Sequence, residues 1–532
     1  MSHIRIRLLF LAGLLLAGYP LVSGLVASAP EQGGGGGQTS PMLHTQNIDP
    51  SLRGFRWREI GPVGQGARID DLAVDEKNPS TYYIGFAVSG LWKTTNNGTT
   101  FQPVFDAYWH SIGDVALAPS NPSIIYVGTG EANNRQSSSF GDGMYKSTDA
   151  GATFTYIGLR ETQSIARVVV HPSNPDIVWV AAAGHLFGPN PERGVFMSTD
   201  GGKTWQHTLR INPDVGATDL IVDRSNPMIL FAATYERRRS AWGFASGGSG
   251  GGIHQSTDGG KTWRKLSGNG LPTGVIGRIG LDISRSNPNV VYAQIETGLP
   301  PSATTGAAAP PAAAPAAGRG AGARGAAGAA DPAAQRGGGG GRGGGGGPPN
   351  PNSSGVWRSN DKGKTWTFLS NQNNRPMYYS QIRVDPTDEN IVYTGGSGAF
   401  KSTDGGKTWR GMQGMGHVDN HAIWIDPLNN QHVMYGNDGG LDVSWDGGDN
   451  WESIRNLSGA LSYHVSVDMR RPYWVCTGLQ DNGSWCGPSS PRSGGIHMWN
   501  WISVGGGDGF QTQVDATDPN VFYTESQNAG IG

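Results

Sequence analysis

Ser198-Thr199-Asp200-Gly201-Gly202-Lys203-Thr204-Trp205 is a phrase that this chain repeats almost letter for letter from Ser256 and from Ser402. Looser copies of the pattern Ser/Thr-x-Asp-x-Gly-x-Thr-Trp/Phe begin at Thr94, Ser147, Ser359 and Ser444, the first degenerate as Thr94-Thr95-Asn96-Asn97-Gly98-Thr99-Thr100-Phe101. The seven starts lie 53, 51, 58, 103, 43 and 42 residues apart. Repetition at roughly 40 to 50 residues marks a solenoid, an array or a propeller. The one long gap contains residues 300–352, almost wholly Gly, Ala, Pro and Arg, and without those 53 residues it shrinks to 50. That block is an insertion within one repeat. Its few apolar side chains cannot offset its ordering entropy, so disorder is expected.

A second landmark recurs out of phase with the box. Asn-Pro or Asp-Pro, followed by an apolar β-branched or aromatic run, opens units at Asn78-Pro79, Asn121-Pro122, Asn174-Pro175, Asn226-Pro227, Asn287-Pro288, Asp385-Pro386 and Asp426-Pro427. Arg471-Pro472 and Asp518-Pro519 bring the units to nine, two more than the boxes. Each repeat therefore reads as an inner strand such as 166–170, a turn, a second strand, a long loop, a third strand, the box and an outer strand. Four-stranded antiparallel blades repeated radially make an all-β propeller, and no stretch shows sustained helical periodicity. Seven boxed blades closing over 53–459, with 460–532 as further, truncated blades of a second propeller, is the layout favoured by the box count. One larger ring is the alternative. The ninth unit stops at Gly532 without a third strand, a box or an outer strand, which points either to a fragment or to an outer strand supplied by residues 55–60.

The box has a structural task. Its Asp can accept backbone N–H bonds inside a tight turn, its Gly takes positive φ, and its Trp or Phe folds back on the blade as a plug. Asp149, Asp200, Asp258, Asp361, Asp404 and Asp446 are accordingly read as turn braces rather than reactive acids.

Composition agrees, since 85 glycines in 532 residues and 15% charged residues suit short strands joined by tight turns. A formal charge of −2 leaves no basic surface for phosphates and speaks against nucleic acid as a partner. Residues 1–29 read as an export signal, with Arg5 and Arg7, an apolar stretch and Ala27-Ser28-Ala29, so a periplasmic or secreted protein is expected. An uncleaved membrane anchor is the alternative. Residues 30–52 form a flexible spacer. Cys476 and Cys486, on the second and third strands of the eighth unit, are either a disulfide or two buried thiols, and neither has zinc-type company.

With strand directions fixed, the Asn-Pro turns and boxes fall on one face of the disc and the remaining loops on the other. The second set is chemically dense and holds Glu131, His185, Glu236, Arg237, His417, Asp419, His421, Asp438, Asp481 and Asp508. Loops on a rigid scaffold are where function concentrates. Asp419, Asp438, Asp481 and Asp508 recur in consecutive units, so two of them could act as acid and base on a glycosidic bond, with His421 orienting one. No cofactor or structural metal is expected, calcium being the one hard cation that gathered carboxylates would suit. The alternative is that Asp and Asn beside Gly only make turns.

The boxes, the Asn-Pro strands, and the phrases Tyr145-Lys146-Ser147-Thr148-Asp149-Ala150-Gly151, Phe187-Gly188-Pro189-Asn190-Pro191-Glu192-Arg193, His417-Val418-Asp419-Asn420-His421 and Gly436-Asn437-Asp438-Gly439-Gly440 resemble exported bacterial BNR/Asp-box propeller proteins. These are often labelled sortilin-like or "glycosyl hydrolase, BNR repeat". The resemblance implies three activities. Sialidases need a Phe/Tyr-Arg-Ile-Pro strand, and no Arg-Ile-Pro occurs here. Xyloglucanases pair two seven-bladed propellers and carry a catalytic Asp in a Thr-Asp-x-Gly-Gly loop of the first blade. The matching loop here, Phe86-Ala87-Val88-Ser89-Gly90-Leu91-Trp92, has no acid, although Asp438 in Asn-Asp-Gly-Gly resembles the motif in another blade. Sortilin-type and photosystem-assembly propellers bind peptides or partner surfaces and catalyse nothing. The expectation is recognition of a peptide or carbohydrate by the loop-rich funnel, with glycoside hydrolysis as the alternative.

Overall fold

Apolar inner strands wrap the ring axis. Ile69–Val74, Ile112–Ala118, Ile165–Val170, Val215–Val222, Ile279–Ile283, Gln381–Val384 and Asn420–Ile425 each pack against the next, and the seventh returns to the first. The computed structural model describes residues 58, 60–62, 64–135, 138–241, 243–298, 350–492 and 495–532. The expected signal 1–29, the spacer 30–52 and all but the last three residues of the insertion 300–352 lie outside these.

Each inner strand leads an antiparallel sheet of four strands, five in the fourth blade, where Gly243–Ser246 adds to Leu230–Ser240. Ring closure is visible in the core: Ile69, Leu72 and Phe86 of the first blade share one apolar cluster with Ala422, Trp424 and Met434 of the seventh. The propeller therefore closes at seven blades, and the single larger ring is excluded. An eighth sheet, Ser462–Val467, Trp474–Leu479, Gly483–Pro488 and Ile502–Gly505, packs its inner strand against Thr512–Val514 of a ninth. The ninth does have a short third strand, Gly530–Ile531, which the sequence reading missed. Of residues 55–60, Arg58 and Ile60 are described, and they bond Ser489 O and the Trp501 indole of the eighth blade rather than extending the ninth. Cys476 and Cys486 face each other across adjacent strands and are disulfide-bonded.

The seams between blades are the core. Val168 and Val170 of the third inner strand meet Ala118, Tyr126 and Met144 of the second blade, all buried. Each fully buried aliphatic or aromatic side chain contributes about 1.5–3 kcal/mol, so stability is spread around the ring.

The boxes fold as expected, with one difference. In Ser198 to Trp205, Thr204 N–H donates to Asp200 Oδ1 at 2.9 Å, Thr204 Oγ1 to Oδ2 at 2.6 Å, and Gly202 N–H to Ser198 Oγ at 2.8 Å. Gly201 and Gly202 take φ of 76° and 89°. Hydrogen bonding holds the Asp200 carboxyl down at about 2, as it does for Asp258 and Asp404. The tryptophan folds back on its own box, where the Trp263, Trp366 and Trp409 indoles donate to Gly260 O, Gly363 O and Gly406 O, but it also reaches the preceding blade. The Trp205 indole donates to Ile157 O of the preceding blade, and Trp409 to Ser370 Oγ likewise. Each therefore fills a seam.

Boxes and funnel loops lie at opposite strand ends. In the seventh blade Asp438 precedes the third strand Gly440–Ser444 and the box Asp446 follows it.

Candidate functional site

A local irregularity aims the first site residues. Inner strands of six of the eight four- or five-stranded blades carry a register shift near their funnel end, which leaves Asp70, Gly113, Ala166, Thr218, His421 and Tyr463 unpaired. A bulge bends the strand and redirects a side chain, and such devices cluster near functional sites. Here it turns Asp70 and His421 toward the same polar cluster from the first and seventh blades.

The second element is the tight turn between second and third strands. Asp438 sits there in the seventh blade, after Val433–Asn437, and Asp481 in the eighth, between Trp474–Leu479 and Gly483–Pro488. The two turns are tied together. Asn482 Nδ2 donates to Asp438 O at 3.0 Å and to Gly66 O at 3.1 Å, and His417 Nε2 lies 3.3 Å from Asp481 O. Asp481 and Asp419 both hold left-handed backbone, φ 59° and 65°. Non-glycine residues there are uncommon, Asp being among those that tolerate it.

Asp438 is almost fully buried and surrounded by donors. His421 Nε2 lies 2.8 Å from its Oδ1, while Arg68 Nη1 and Arg135 Nη1 stand 3.8 and 3.9 Å from Oδ2. Burial opposes its ionisation, but the His421 ring and the two guanidinium groups outweigh burial and hold its carboxyl well below the usual range. Arg68 also pairs with Glu131 at 3.0 Å and donates to Tyr378 OH at 3.2 Å, which Arg135 meets at 2.8 Å. Asp70 is pushed up by burial and by the Glu131 charge, and accepts from Asn133 Nδ2 at 3.0 Å.

Asp481 behaves oppositely. Burial, with the negative charges of the neighbouring Asp438 and Asp508, pushes its carboxyl up to about 8. Asp508 Oδ1 accepts the Asp481 backbone N–H at 2.7 Å and its Oδ2 accepts Gln527 Nε2 at 3.0 Å. At neutral pH one carboxyl is thus ionised and its neighbour protonated. Two carboxyls whose environments push them apart in this way are equipped as acid and conjugate base.

The structure therefore assembles Glu131, Asp419, His421, Asp438, Asp481 and Asp508, with His417 against the Asp481 loop. Asp419 accepts the Tyr379 hydroxyl. The Glu236 and Arg237 side chains are engaged elsewhere, as is the backbone carbonyl of His185. His185 O accepts Arg193 Nη2, Glu236 Oε2 accepts Gly250 N–H at 3.1 Å, and Arg237 braces Ala132 O and Gly184 O. Arg237 is 2% exposed and acts as an internal strut. Sequence reasoning missed Arg68, Asp70 and the Tyr378-Tyr379 pair. Arg68 and Asp70 open an inner strand, which was the available signal. Among the described residues, no three of His, Cys, Asp or Glu are grouped to share one ion.

Comparison with known proteins now bears on this geometry. A BNR/Asp-box repeat model matches residues 196–207. The xyloglucanase of Hypocrea jecorina is 26% identical over 173 residues, covering 30% of this chain and 20% of that protein. The xyloglucanase Xgh74A of Acetivibrio thermocellus is 21% identical over 273 residues, 45% of this chain and 30% of the other. The matched stretches thus span between a fifth and three tenths of these relatives. Among solved structures, the GH74 xyloglucanase of Xanthomonas campestris superposes with TM-score 0.55 at 12% identity, over 89% of this chain and 66% of that one. The Niastella koreensis GH74 enzyme gives TM-score 0.52 at 18% identity, over 87% and 70%. At these identities the structural likeness speaks for the propeller fold alone.

Proposed function

We propose that this chain acts on polysaccharide as a glycoside hydrolase, with Asp481 as proton donor and Asp438 as its ionised partner. What carries this reading is the pairing of two neighbouring carboxyls whose surroundings push them in opposite directions, one from the last blade of the closed ring and one from the next sheet. Sequence likeness to xyloglucanases supports carbohydrate as the substrate class and makes xyloglucan the first polymer to try.

In this mechanism Asp481 gives its proton to the glycosidic oxygen as the bond to the anomeric carbon breaks. The Asp438 carboxylate, held by His421, Arg68 and Arg135, then meets the positive charge developing at that carbon or takes the proton of the attacking water. Carboxyl pairs stand about 5–5.5 Å apart in retaining and about 6.5–9.5 Å in inverting enzymes. Asp438 and Asp481 come from neighbouring turns that Asn482 ties together, so a sugar has to enter between those turns. That same closeness favours a second reading, in which the funnel holds a glycan without cleaving it.

Release of reducing ends from xyloglucan, followed against pH, decides between them. Hydrolysis needs Asp481 protonated, so the rate should fall as pH rises through about 8. Asp481→Asn should lower kcat by about 10²–10⁴-fold. Glycan binding without turnover by the wild-type protein would favour recognition. The disulfide further supports an exported protein, since such bonds persist in oxidising compartments. Recovery of the native chain from periplasm or medium tests that.

A further inference from the structure

The opposite end of the ring carries a second arrangement, which the proposed chemistry does not use. The turns after the inner strands share one position, the residue that follows Asp75, Ala118, His171, Asp223, Ser284, Asp385 and Asp426. Four blades fill it with proline: Pro119, Pro172, Pro386 and Pro427. The other three carry charge there, Glu76 in the first blade, Arg224 in the fourth and Arg285 in the fifth. In a seven-membered ring the first blade faces the fourth and fifth across the axis. Glu76 spans that gap: Arg224 Nη1 donates to its Oε2 at 2.9 Å and Arg285 Nη2 to its Oε1 at 2.8 Å.

Behind this bridge lies a cavity of about 600 Å³, reaching inward to Arg167 and lined partly by Val74, Val115, Val222 and Ile283. Its inner end is shut by charge. Arg167 binds Asp114 at 2.8 Å, Asp219 at 3.1 Å and Asp71 at 3.6 Å, from three other blades. This cluster forms the inner wall of the cavity, and Glu76, Arg224 and Arg285 line its other end.

We propose that Arg224 and Arg285 form a binding site for a small organic carboxylate, and that Glu76 is a built-in occupant which such a ligand displaces. Two guanidinium groups presented to the two oxygens of one carboxylate are a specific recognition geometry. The occupant is displaceable, because Glu76 sits on a turn, is 30% exposed, and ion pairs of that exposure contribute little. With Glu76 moved aside, both guanidinium groups lose the carboxylate that pairs them, and burial together with the Arg285 charge already holds Arg224 below its ordinary range. The size and partly apolar lining of the cavity suit a ligand whose carboxylate meets the arginines while its body lies inside. This site stands or falls independently of the hydrolase reading.

The test is calorimetric titration of the full chain with glucuronate and with acetate, using glucose and sulfate as controls. Removing an internal competitor raises apparent affinity by the reciprocal of the competent fraction, so Glu76→Gln should bind the carboxylates about tenfold more tightly than wild type. Arg285→Gln added to Glu76→Gln should abolish that gain, and glucose should bind to neither protein. A folded Glu76→Gln protein with no gain for either carboxylate would overturn the proposal and leave the bridge as a tie between blades. Equal binding of sulfate would also overturn it, by showing charge attraction without carboxylate recognition.

Discussion

His421 Nε2 lies 2.8 Å from Asp438 Oδ1, in an interior where both side chains are 2% exposed. Burial holds the ring below the ordinary histidine range, against the pull of Asp438. Its Nε2–H donates to the carboxylate. Tyr378 and Tyr379 flank it at centroid distances of 4.8 and 5.1 Å and fix its plane. His421 thus orients Asp438.

Replacing His421 with Phe should remove that donor while keeping a ring. A lost hydrogen bond to an ionised group raises its pKa, so the acid limb of the rate profile should move to higher pH. His421→Gln, which restores an N–H, should move it less. The measurement is kcat/KM on the best polysaccharide from pH 3 to 9, and an acid limb unchanged in His421→Phe would remove the residue from this role.

Arg68 is the hub of the buried charges, pairing with Glu131 and lying near Asp438 and Asp70. Arg68→Met keeps much of the bulk but strands two buried carboxylates. Breaking a buried pair in this way costs about 3–5 kcal/mol. Urea denaturation should show that loss, whereas Arg135→Met, at a more exposed guanidinium, should cost less.

The box aspartates make a pH prediction of the opposite sign to Asp481. Asp200, Asp258 and Asp404 are held down at about 2, below their unfolded value, so the stability they contribute is present above about pH 4. It is lost as pH falls toward 2. Asp200→Asn should therefore flatten the decline of the melting temperature between pH 4 and 2, with scanning calorimetry as the readout.

The disulfide closes a short loop, Cys476 to Cys486. Such a bond contributes about 2–4 kcal/mol, largely through the unfolded state. Reduction should increase amide exchange in 460–532 and leave the seven-bladed ring protected. Equal loss of protection in both regions would show that the two unfold together.

Much of the architecture was legible because the box is a self-contained turn: every hydrogen bond that Asp200 makes lies within seven residues of it. Ring size was less so, since closure depends on contacts between Ile69 and Ala422 that no local signal announces. The site divides along the same line. Asp438, Asp481 and His421 lie in dense loop phrases and were found, whereas Asp70 is placed by a bulge and Tyr378 by a loop with no motif. Glu236 and Arg237 lie in equally polar phrases, yet the fold spends their side chains on bracing loops. Charge in a loop marks the face but not the pocket.

The account turns on which carboxyl carries the proton, and NMR titration of carboxyl-labelled aspartate in the full chain, assigned with Asp481→Asn, reads this directly. Asp481 should titrate near 8, and Asp438→Asn should lower that midpoint by removing the adjacent negative charge. An Asp481 midpoint near 4, unmoved by Asp438→Asn, would contradict the pairing and the chemistry drawn from it.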